Sequence, residues 1–182
     1  MKRTVILKEE DISAKIRKIA GEILEKNSKV GEIVLVGIRT GGAFLAARLQ
    51  EAISALGAPM PPLGILDITL YRDDWTRIGP APIVGKTELP FPIHDKAVIL
   101  VDDVLYTGRT VRAAMDALMD YGRPKRIELA VLVDRGDAFR ELPISPNYVG
   151  WVWGTAPEET INVYLKEAGS LDYVAIERKK AA

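Results

Sequence analysis

Runs of apolar residues are the clearest pattern along the chain, and they predict buried strands. Residues 96–103 (KAVILVDD) carry five apolar residues in a row before two acids. A run of this length is typical of a strand that is covered on both faces. The same pattern predicts strands over residues 32–38, 63–71 and 127–136. Shorter strands are expected near residues 148–152, 160–165 and 173–176.

Helical spacing separates these strands. In the first predicted helix, apolar residues recur every three or four positions, at Ile12, Ile16, Ile19, Ala20, Ile23 and Leu24. A second helix is expected from about Gly42 to Leu56. A third covers residues 111–122, with Gly122 as its C-terminal cap and Pro124 preventing continuation. Strands that alternate with helices predict an α/β fold with a parallel sheet covered on both faces.

Residues 71–93 do not fit a compact element. The segment between Tyr71 and Ile93 contains four Pro and two Gly and shows no sustained periodicity. Loops of roughly 20 residues in compact domains are usually disordered or act as lids. We therefore predict a mobile lid or flexible hairpin, and the alternative is a static twisted hairpin that crosses the surface.

Composition narrows the possible chemistry. The 182 residues suit one domain, and the 25 basic and 25 acidic side chains cancel, which argues against nucleic-acid binding by bulk charge. The chain has no Cys, so disulfides and thiolate chemistry are excluded. His94 is the single histidine, and no Gly-x-Ser-x-Gly motif accompanies it as a nucleophile. No apolar run approaches the roughly 20 residues that span a bilayer, and we expect a soluble cytoplasmic protein.

The segment Val98–Thr110 carries the strongest candidate chemistry. A buried strand ends in Asp102 and Asp103, and a short loop then leads into a helix. In open α/β sheets, ligands bind beyond the carboxyl ends of the strands, and the N–H groups of a helix start bind phosphate. The acids can accept hydrogen bonds from sugar hydroxyls or help to hold a cation. The pattern therefore indicates a ribose 5-phosphate site, with an ordinary strand end and helix cap as the alternative. The loop residues are Thr107, Gly108, Arg109 and Thr110.

This segment resembles the phosphoribosyl pyrophosphate (PRPP) motif of type I phosphoribosyltransferases. Four segments are similar to the PyrR family in particular, and the resemblance runs in order from about Val5 to Glu177. They cover residues 67–74, 101–118, 122–136 and 140–144. The resemblance implies one domain over residues 1–182, with a central mostly parallel sheet flanked by helices. It also implies a flexible lid hairpin at about 71–93 and a small hood from about 134 onward together with the N-terminal segment.

The resemblance implies an activity and a regulatory role. The reaction would join uracil to PRPP and give UMP and pyrophosphate, and UMP-dependent binding would act on pyrimidine-operon mRNA. Asp102 and Asp103 would contact the ribose hydroxyls, and residues 107–110 would hold the 5-phosphate. Mg2+ would arrive bound to the pyrophosphate rather than be held mainly by the protein.

Further site residues follow from the same resemblance. Arg39 and Thr40 in VGIRTGG would contact pyrophosphate, with a non-proline cis peptide there, unless this segment is only a tight turn. Arg72 would swing over pyrophosphate, or else form an ion pair with Asp73 or Asp74. Backbone groups near Val133, Asp134 and Arg135 would read the uracil base, although Asp134 and Arg135 could equally form a structural ion pair.

Departures from the family concern its RNA-binding surface. Gly21, Asp137 and Trp151 stand where the family commonly has His, His and Lys, and two residues are added in the run RGDAFRELP. Basic residues remain on the first helix, among them Lys15, Arg17 and Lys18, and they are either RNA ligands or a solvated helix face. We therefore weigh an enzyme that also regulates against a salvage enzyme without regulation and against an RNA-binding attenuator that only senses UMP. A purine or orotate phosphoribosyltransferase is a further alternative.

The resemblance also implies self-association. The family is oligomeric, and a homodimer or larger homo-oligomer is expected. Four apolar residues, Tyr148, Val149, Trp151 and Trp153, suggest a buried subunit contact.

Overall fold

A five-stranded parallel sheet forms the centre of the molecule, and a three-stranded antiparallel sheet lies beside it. The structure is a computed structural model that describes residues 2–27, 29–74 and 84–178. The large sheet has the order β3-β2-β4-β5-β6, and the small sheet has the order β1-β8-β7. The elements are β1 Lys2–Lys8, α1 Glu9–Lys26, β2 Ile33–Ile38, α2 Gly41–Ala55, β3 Leu63–Leu66, β4 Ala97–Leu105, α3 Arg109–Met119, β5 Arg126–Asp134, β6 Tyr148–Val152, β7 Glu159–Tyr164 and β8 Tyr173–Arg178.

The parallel strands are apolar because both faces of the sheet are covered. All six residues of β2 are buried, and successive side chains point to opposite faces. Ile33 and Leu35 belong to the cluster that includes α1 and α2, whereas Val34 and Val36 belong to the cluster that includes α3. The predicted α/β class, with a parallel sheet between helices, is confirmed.

Several predicted boundaries are wrong by a few residues. β3 ends at Leu66 rather than at residue 71, because the Asp67 carboxylate accepts hydrogen bonds from the N–H groups of Thr69 and Gly85 at 2.9 and 3.0 Å. These bonds turn the chain out of the sheet. α3 ends at Met119, so Gly122 is not its cap and instead takes a φ of 145° in the turn that follows.

The small sheet contains one strand that the apolar pattern did not predict. β1 pairs antiparallel with β8, which lies about 170 residues further along the chain. β6 belongs to the large sheet, where it pairs with β5, so the small sheet consists of β1 from the N-terminal segment together with β7 and β8. The single domain over residues 1–182 stays a prediction.

The predicted lid falls partly outside the described residues, which omit 75–83. The part that is described, from residue 84 onward, returns to the large sheet. Glu88 forms an antiparallel bridge with Ile65, and the Thr87 hydroxyl accepts a hydrogen bond from the Asp67 N–H at 3.0 Å. No helix in the described ranges is long and apolar enough to cross a membrane.

An ion-pair cluster joins α2 to the segment between β7 and β8. Arg48 donates to both carboxylate oxygens of Asp172 at 2.7 and 2.8 Å and to Glu167. The Asp172 side chain is 2% exposed, so its charge depends on this partner. The hydrogen bonds from Arg48 lower the pKa of Asp172 and of Glu167.

Replacing Arg48 by Ala is expected to lower the free energy of unfolding by about 3 kcal/mol, because a buried carboxylate loses its cation. Since the folded-state pKa values of Asp172 and Glu167 are lowered, their contribution is present above the unfolded values near 4 and is lost as the pH falls. Urea unfolding at several pH values should therefore show a weaker acid dependence in the variant. The exposed Lys29–Glu32 pair supplies the control, and Lys29→Ala should change stability by less than about 0.5 kcal/mol. Equal effects of the two substitutions would contradict the assignment.

Candidate functional site

Asp102 and the predicted loop residues 107–110 line a cleft of about 220 Å³ at the carboxyl end of the large sheet, whereas Asp103 is not one of its lining residues. One side is formed by residues that follow β3, and the other by the end of β4 and the start of α3. The lining residues are Arg72, Asp73, Asp74, Asp102, Val104, Leu105, Tyr106, Thr107, Gly108, Arg109, Thr110 and Val111. The structure thus brings Arg72 together with the acid and Thr-Gly-Arg-Thr residues that the sequence singled out.

The loop before α3 has the geometry of an anion-binding turn. Gly108 is the N-cap residue and has a φ of 93°, a left-handed conformation that favours glycine. Its carbonyl accepts the hydrogen bond from the Arg112 N–H at 2.9 Å, so the helix begins directly after it. The first N–H groups of α3 have no partner within the helix, and such groups bind phosphate readily.

The acid pair lies near the end of β4, with Asp102 buried and Asp103 partly buried. Asp102 is 7% exposed, and one of its carboxylate oxygens accepts a hydrogen bond from the Asp103 N–H at 2.9 Å. Burial, followed by the charge of Asp103, raises the pKa of Asp102 well above its ordinary value. Burial also raises the pKa of Asp103. A site that keeps two desolvated carboxyl groups side by side is suited to hydroxyl ligands, which can hydrogen-bond to them.

The turn after β2 packs directly against these acids. A methyl group on Gly41 would lie 2.6 Å from an Asp103 carboxylate oxygen, and one on Gly42 would lie 2.2 Å from the Val101 carbonyl oxygen. Both glycines are therefore explained by packing alone. The predicted cis peptide between Arg39 and Thr40 is confirmed, and both residues are exposed.

The arginine side chains of the cleft form ion pairs with neighbouring carboxylates. Arg72 donates two hydrogen bonds of 2.8 Å to Asp74, so the ion pair expected as an alternative is present. Arg109 donates to Asp73 and to Glu141, each at 2.5 Å. An anionic ligand that binds here has to compete with these carboxylates.

The ion pair between Asp134 and Arg135, which was the alternative interpretation of the segment after β5, is not formed in the described structure. Asp134 accepts a 2.8 Å hydrogen bond from Arg140 rather than from Arg135. The buried Arg135 guanidinium stands 3.7 Å from the centre of the Tyr106 ring and donates to the Thr155 hydroxyl. Burial lowers the pKa of Arg135. Val133 is fully buried and pairs with strands on both sides, so the base-reading role predicted for its backbone stays a prediction.

Sequence reasoning missed the roles of Tyr106 and Arg140. Tyr106 lies between the acid pair and the Thr-Gly-Arg-Thr loop, where the sequence pattern predicts only a short connection. Arg140 belongs to the segment 140–144, whose resemblance to the PyrR family was the available signal. Its partners, Asp134 and the Tyr106 carbonyl, become visible only once the side chains are placed.

The predicted RNA residues do not form one patch. The Lys15 ammonium lies 5.8 Å from the centre of the Trp151 ring, and Lys18 donates to the Val149 carbonyl at 2.8 Å. Both lysines thus lie along the edge strand β6. Arg17 instead lines a groove together with Arg48.

The subunit contact predicted for the aromatic residues near β6 is wrong for Tyr148. Its side chain is fully buried and hydrogen-bonds to Asn27 and Glu128. Trp151 and Trp153 contact each other with ring centres 4.5 Å apart and pack against the core of their own chain. These side chains pack within their own chain, whereas the sequence predicted a contact between subunits.

Comparison with known proteins identifies a family. The phosphoribosyl transferase domain matches residues 3–157. A relative named "Bifunctional protein PyrR" from Syntrophobacter fumaroxidans is 52% identical over 178 residues, which cover 98% of this chain and 95% of the relative. The protein of the same name from Acetivibrio thermocellus is 52% identical over 171 residues, with 94% and 92% coverage. A solved hypoxanthine phosphoribosyl transferase of Trypanosoma cruzi has a TM-score of 0.74 at 19% identity, covers 96% of this chain and 91% of its own, and shows the shared fold.

Replacing Asp102 and Asp103 together by Asn is expected to stabilise the folded chain at pH 7 by about 1 kcal/mol, because two buried charges are removed. The folded-state pKa values of both groups are raised. Their contribution to the free energy of unfolding is therefore favourable below the unfolded-state pKa values and is lost as the pH rises through the folded-state pKa values. Urea unfolding at pH 5 and pH 7 measures this, and the variant should lose less stability between the two. Asp116→Asn, on the exposed side of α3, is the control. A variant less stable than the wild type would contradict the account of the acid pair.

Proposed function

Because the chain belongs to the PyrR family of phosphoribosyltransferases, we infer that it transfers the phosphoribosyl group of PRPP to uracil and also regulates pyrimidine-operon expression by UMP-dependent mRNA binding. The observation that carries this conclusion is the identity of about one half with PyrR proteins over nearly the whole chain. The cleft lined by Asp102 and the Thr-Gly-Arg-Thr loop supports it as the place of the reaction.

The phosphoribosyl group would lie between the acid pair and the loop before α3. Asp102 and Asp103 accept hydrogen bonds from the ribose hydroxyls, which compensate for the burial of both carboxylates. The 5-phosphate binds the N–H groups and hydroxyls of residues 107–110, where the left-handed Gly108 leaves the backbone accessible. Substrate binding thus relieves the least favourable feature of the free site.

The reaction breaks the bond between the ribose carbon and pyrophosphate and forms a bond from that carbon to a uracil nitrogen, which loses its proton. Positive charge develops on the sugar and negative charge on pyrophosphate, so positioning and charge stabilisation matter more than a nucleophile. We assign the pyrophosphate to Arg39, Thr40 and Arg72. Arg72 has to exchange the Asp74 carboxylate for a phosphate oxygen.

The proposal places Mg2+ on the substrate. In the described part of the chain, no three carboxylate, His or Cys side chains are grouped so that they could hold a metal ion. When bound to pyrophosphate, Mg2+ neutralises charge on the leaving group and keeps several of its waters.

Uracil is the proposed base, read by backbone groups around Val133, Asp134 and Arg135. Structural similarity to hypoxanthine phosphoribosyltransferases at 19% identity concerns the fold and carries no argument for a purine. A homodimer or larger homo-oligomer stays a prediction.

The experiment that tests the enzymatic half is turnover of PRPP with uracil, hypoxanthine and orotate in parallel. Uracil is expected to be the preferred base by at least about a hundredfold in kcat/KM, since a site built for one set of base hydrogen bonds rejects others strongly. The Asp102→Asn, Asp103→Asn variant should lose at least about tenfold in kcat/KM for PRPP, through lost charge-assisted hydrogen bonds. Asp116→Asn again serves as the control. Preference for hypoxanthine or orotate would contradict the proposal.

The regulatory half is tested by gel-shift titration of a pyrimidine-leader hairpin, with and without UMP at two salt concentrations. We expect UMP to strengthen binding and salt to weaken it steeply, with lower affinity than a basic surface would give, because Gly21, Asp137 and Trp151 contribute no cation. Replacing Lys15 and Lys18 by Gln should lower the salt slope by about 1 for each phosphate contact that is lost. Arg17→Gln probes the other face of α1. Absence of a UMP-dependent shift alongside normal uracil turnover would leave a salvage enzyme without the regulatory role.

A further inference from the structure

The segment Arg140–Ile144 hydrogen-bonds to residues 106 and 107 and packs close to Gly108, at the start of the loop proposed to bind phosphate (the phosphate loop, residues 106–110). The Arg140 guanidinium donates to the Tyr106 carbonyl at 2.9 Å, and the Glu141 N–H donates to the Thr107 carbonyl at 3.0 Å. A methyl group on Gly108 would lie 3.4 Å from the Ile144 side chain. Hydrogen bonds from this segment therefore help to fix the position of the phosphate loop.

Arg140 also contacts the segment proposed to read the base. Its other terminal nitrogen donates to an Asp134 carboxylate oxygen at 2.8 Å, and the same oxygen accepts the Gly136 N–H at 2.9 Å. The side chains of Arg140 and Asp134 are only 8% and 9% exposed. One buried guanidinium thus joins the backbone of the phosphate loop to the carboxylate that shapes the base-reading turn.

The hydrogen bonds of Arg140 in the described structure use its terminal nitrogens and leave its Nε without a partner. This nitrogen is buried. A buried donor without a partner is unfavourable, and a buried ion pair is often no more stabilising than a well-packed apolar pair. Stability alone therefore does not explain why position 140 holds an arginine. A planar guanidinium that hydrogen-bonds to both subsites does explain it.

We propose that Arg140 is a positioning residue that fixes the base-reading segment and the phosphate loop at the separation required by a nucleoside monophosphate. The proposal rests on the proposed function, because it takes UMP as the ligand that spans both subsites. Each subsite also has local bonds of its own. Asp134 holds Gly136 directly, and the Arg109 N–H contacts the Thr107 hydroxyl at 3.4 Å. Loss of Arg140 should therefore leave each half formed and disturb their relative position.

Fragment ligands separate this role from a general structural one. UMP uses both subsites, uridine lacks the phosphate, and ribose 5-phosphate lacks the base. When two linked groups bind a rigid site, the second gains from the correct placement of the first, and the gain disappears once the geometry is wrong. UMP is therefore the ligand most sensitive to Arg140.

The test is Arg140→Lys, which keeps the charge but loses the planar fork that reaches two acceptors. Calorimetry should show that Kd for UMP rises at least about tenfold, while Kd for uridine and for ribose 5-phosphate each change by less than about threefold. Arg140→Gln is a second variant with the same expectation, since it keeps a donor but loses both the charge and the fork. Thermal unfolding confirms that each variant is folded.

Arg126→Lys is the matched control. Arg126 lies at the other end of β5 and also binds a carboxylate, that of Glu128 at 2.8 Å, outside the cleft. All three affinities should stay within about twofold of wild type. An equal loss of affinity for all three ligands in Arg140→Lys would show that Arg140 has only a structural role. Unchanged UMP affinity would show that it has no role in binding. Either result overturns the proposal. A wild-type protein that binds UMP no tighter than uridine would contradict the proposed function itself, and the role of Arg140 with it.

Discussion

The placement of two adjacent carboxyl groups near the end of β4, one buried and one partly buried, is the constraint on which the candidate site depends. Asp102 and Asp103 lie near the carboxyl end of β4, between the apolar core and the cleft. Burial raises the pKa of both. The turn after β2 accommodates them only with glycine at positions 41 and 42, because a side chain there would overlap an Asp103 oxygen or the β4 backbone. The free protein thus keeps an electrostatically unfavourable arrangement, and in the proposed complex the ribose hydroxyls would relieve it, so that stability is exchanged for ligand recognition.

The surrounding charges are arranged in matched pairs. Arg72 with Asp74, and Arg109 with Asp73 and Glu141, leave the cleft without an unpaired cation among these residues. These pairs are substantially exposed and therefore contribute little to stability. Phosphate groups can displace such carboxylates at low cost, so the same residues serve the free and the occupied site. The more buried pair, Arg140 with Asp134, is suited to hold its position throughout.

The core of the fold could be predicted from the sequence because parallel strands are covered on both faces. β2, β4 and β5 appear as continuous apolar runs for that reason, and the acids and glycines at their ends mark the cleft. β1 could not be predicted from local pattern, since its partner β8 lies at the other end of the chain. The end of β3 depends on hydrogen bonds between Asp67 and residues about 20 positions away. The partners of Arg140 likewise follow from tertiary placement rather than from spacing.

The most direct test of the account is a crystal structure of the protein with UMP bound. We expect the phosphate at the N–H groups of residues 107–110, the ribose hydroxyls within about 3 Å of the Asp102 and Asp103 carboxylates, and the base against the backbone of residues 133–136. A phosphate bound elsewhere, or a ribose that leaves the two buried carboxyl groups without hydrogen-bond partners, would contradict it.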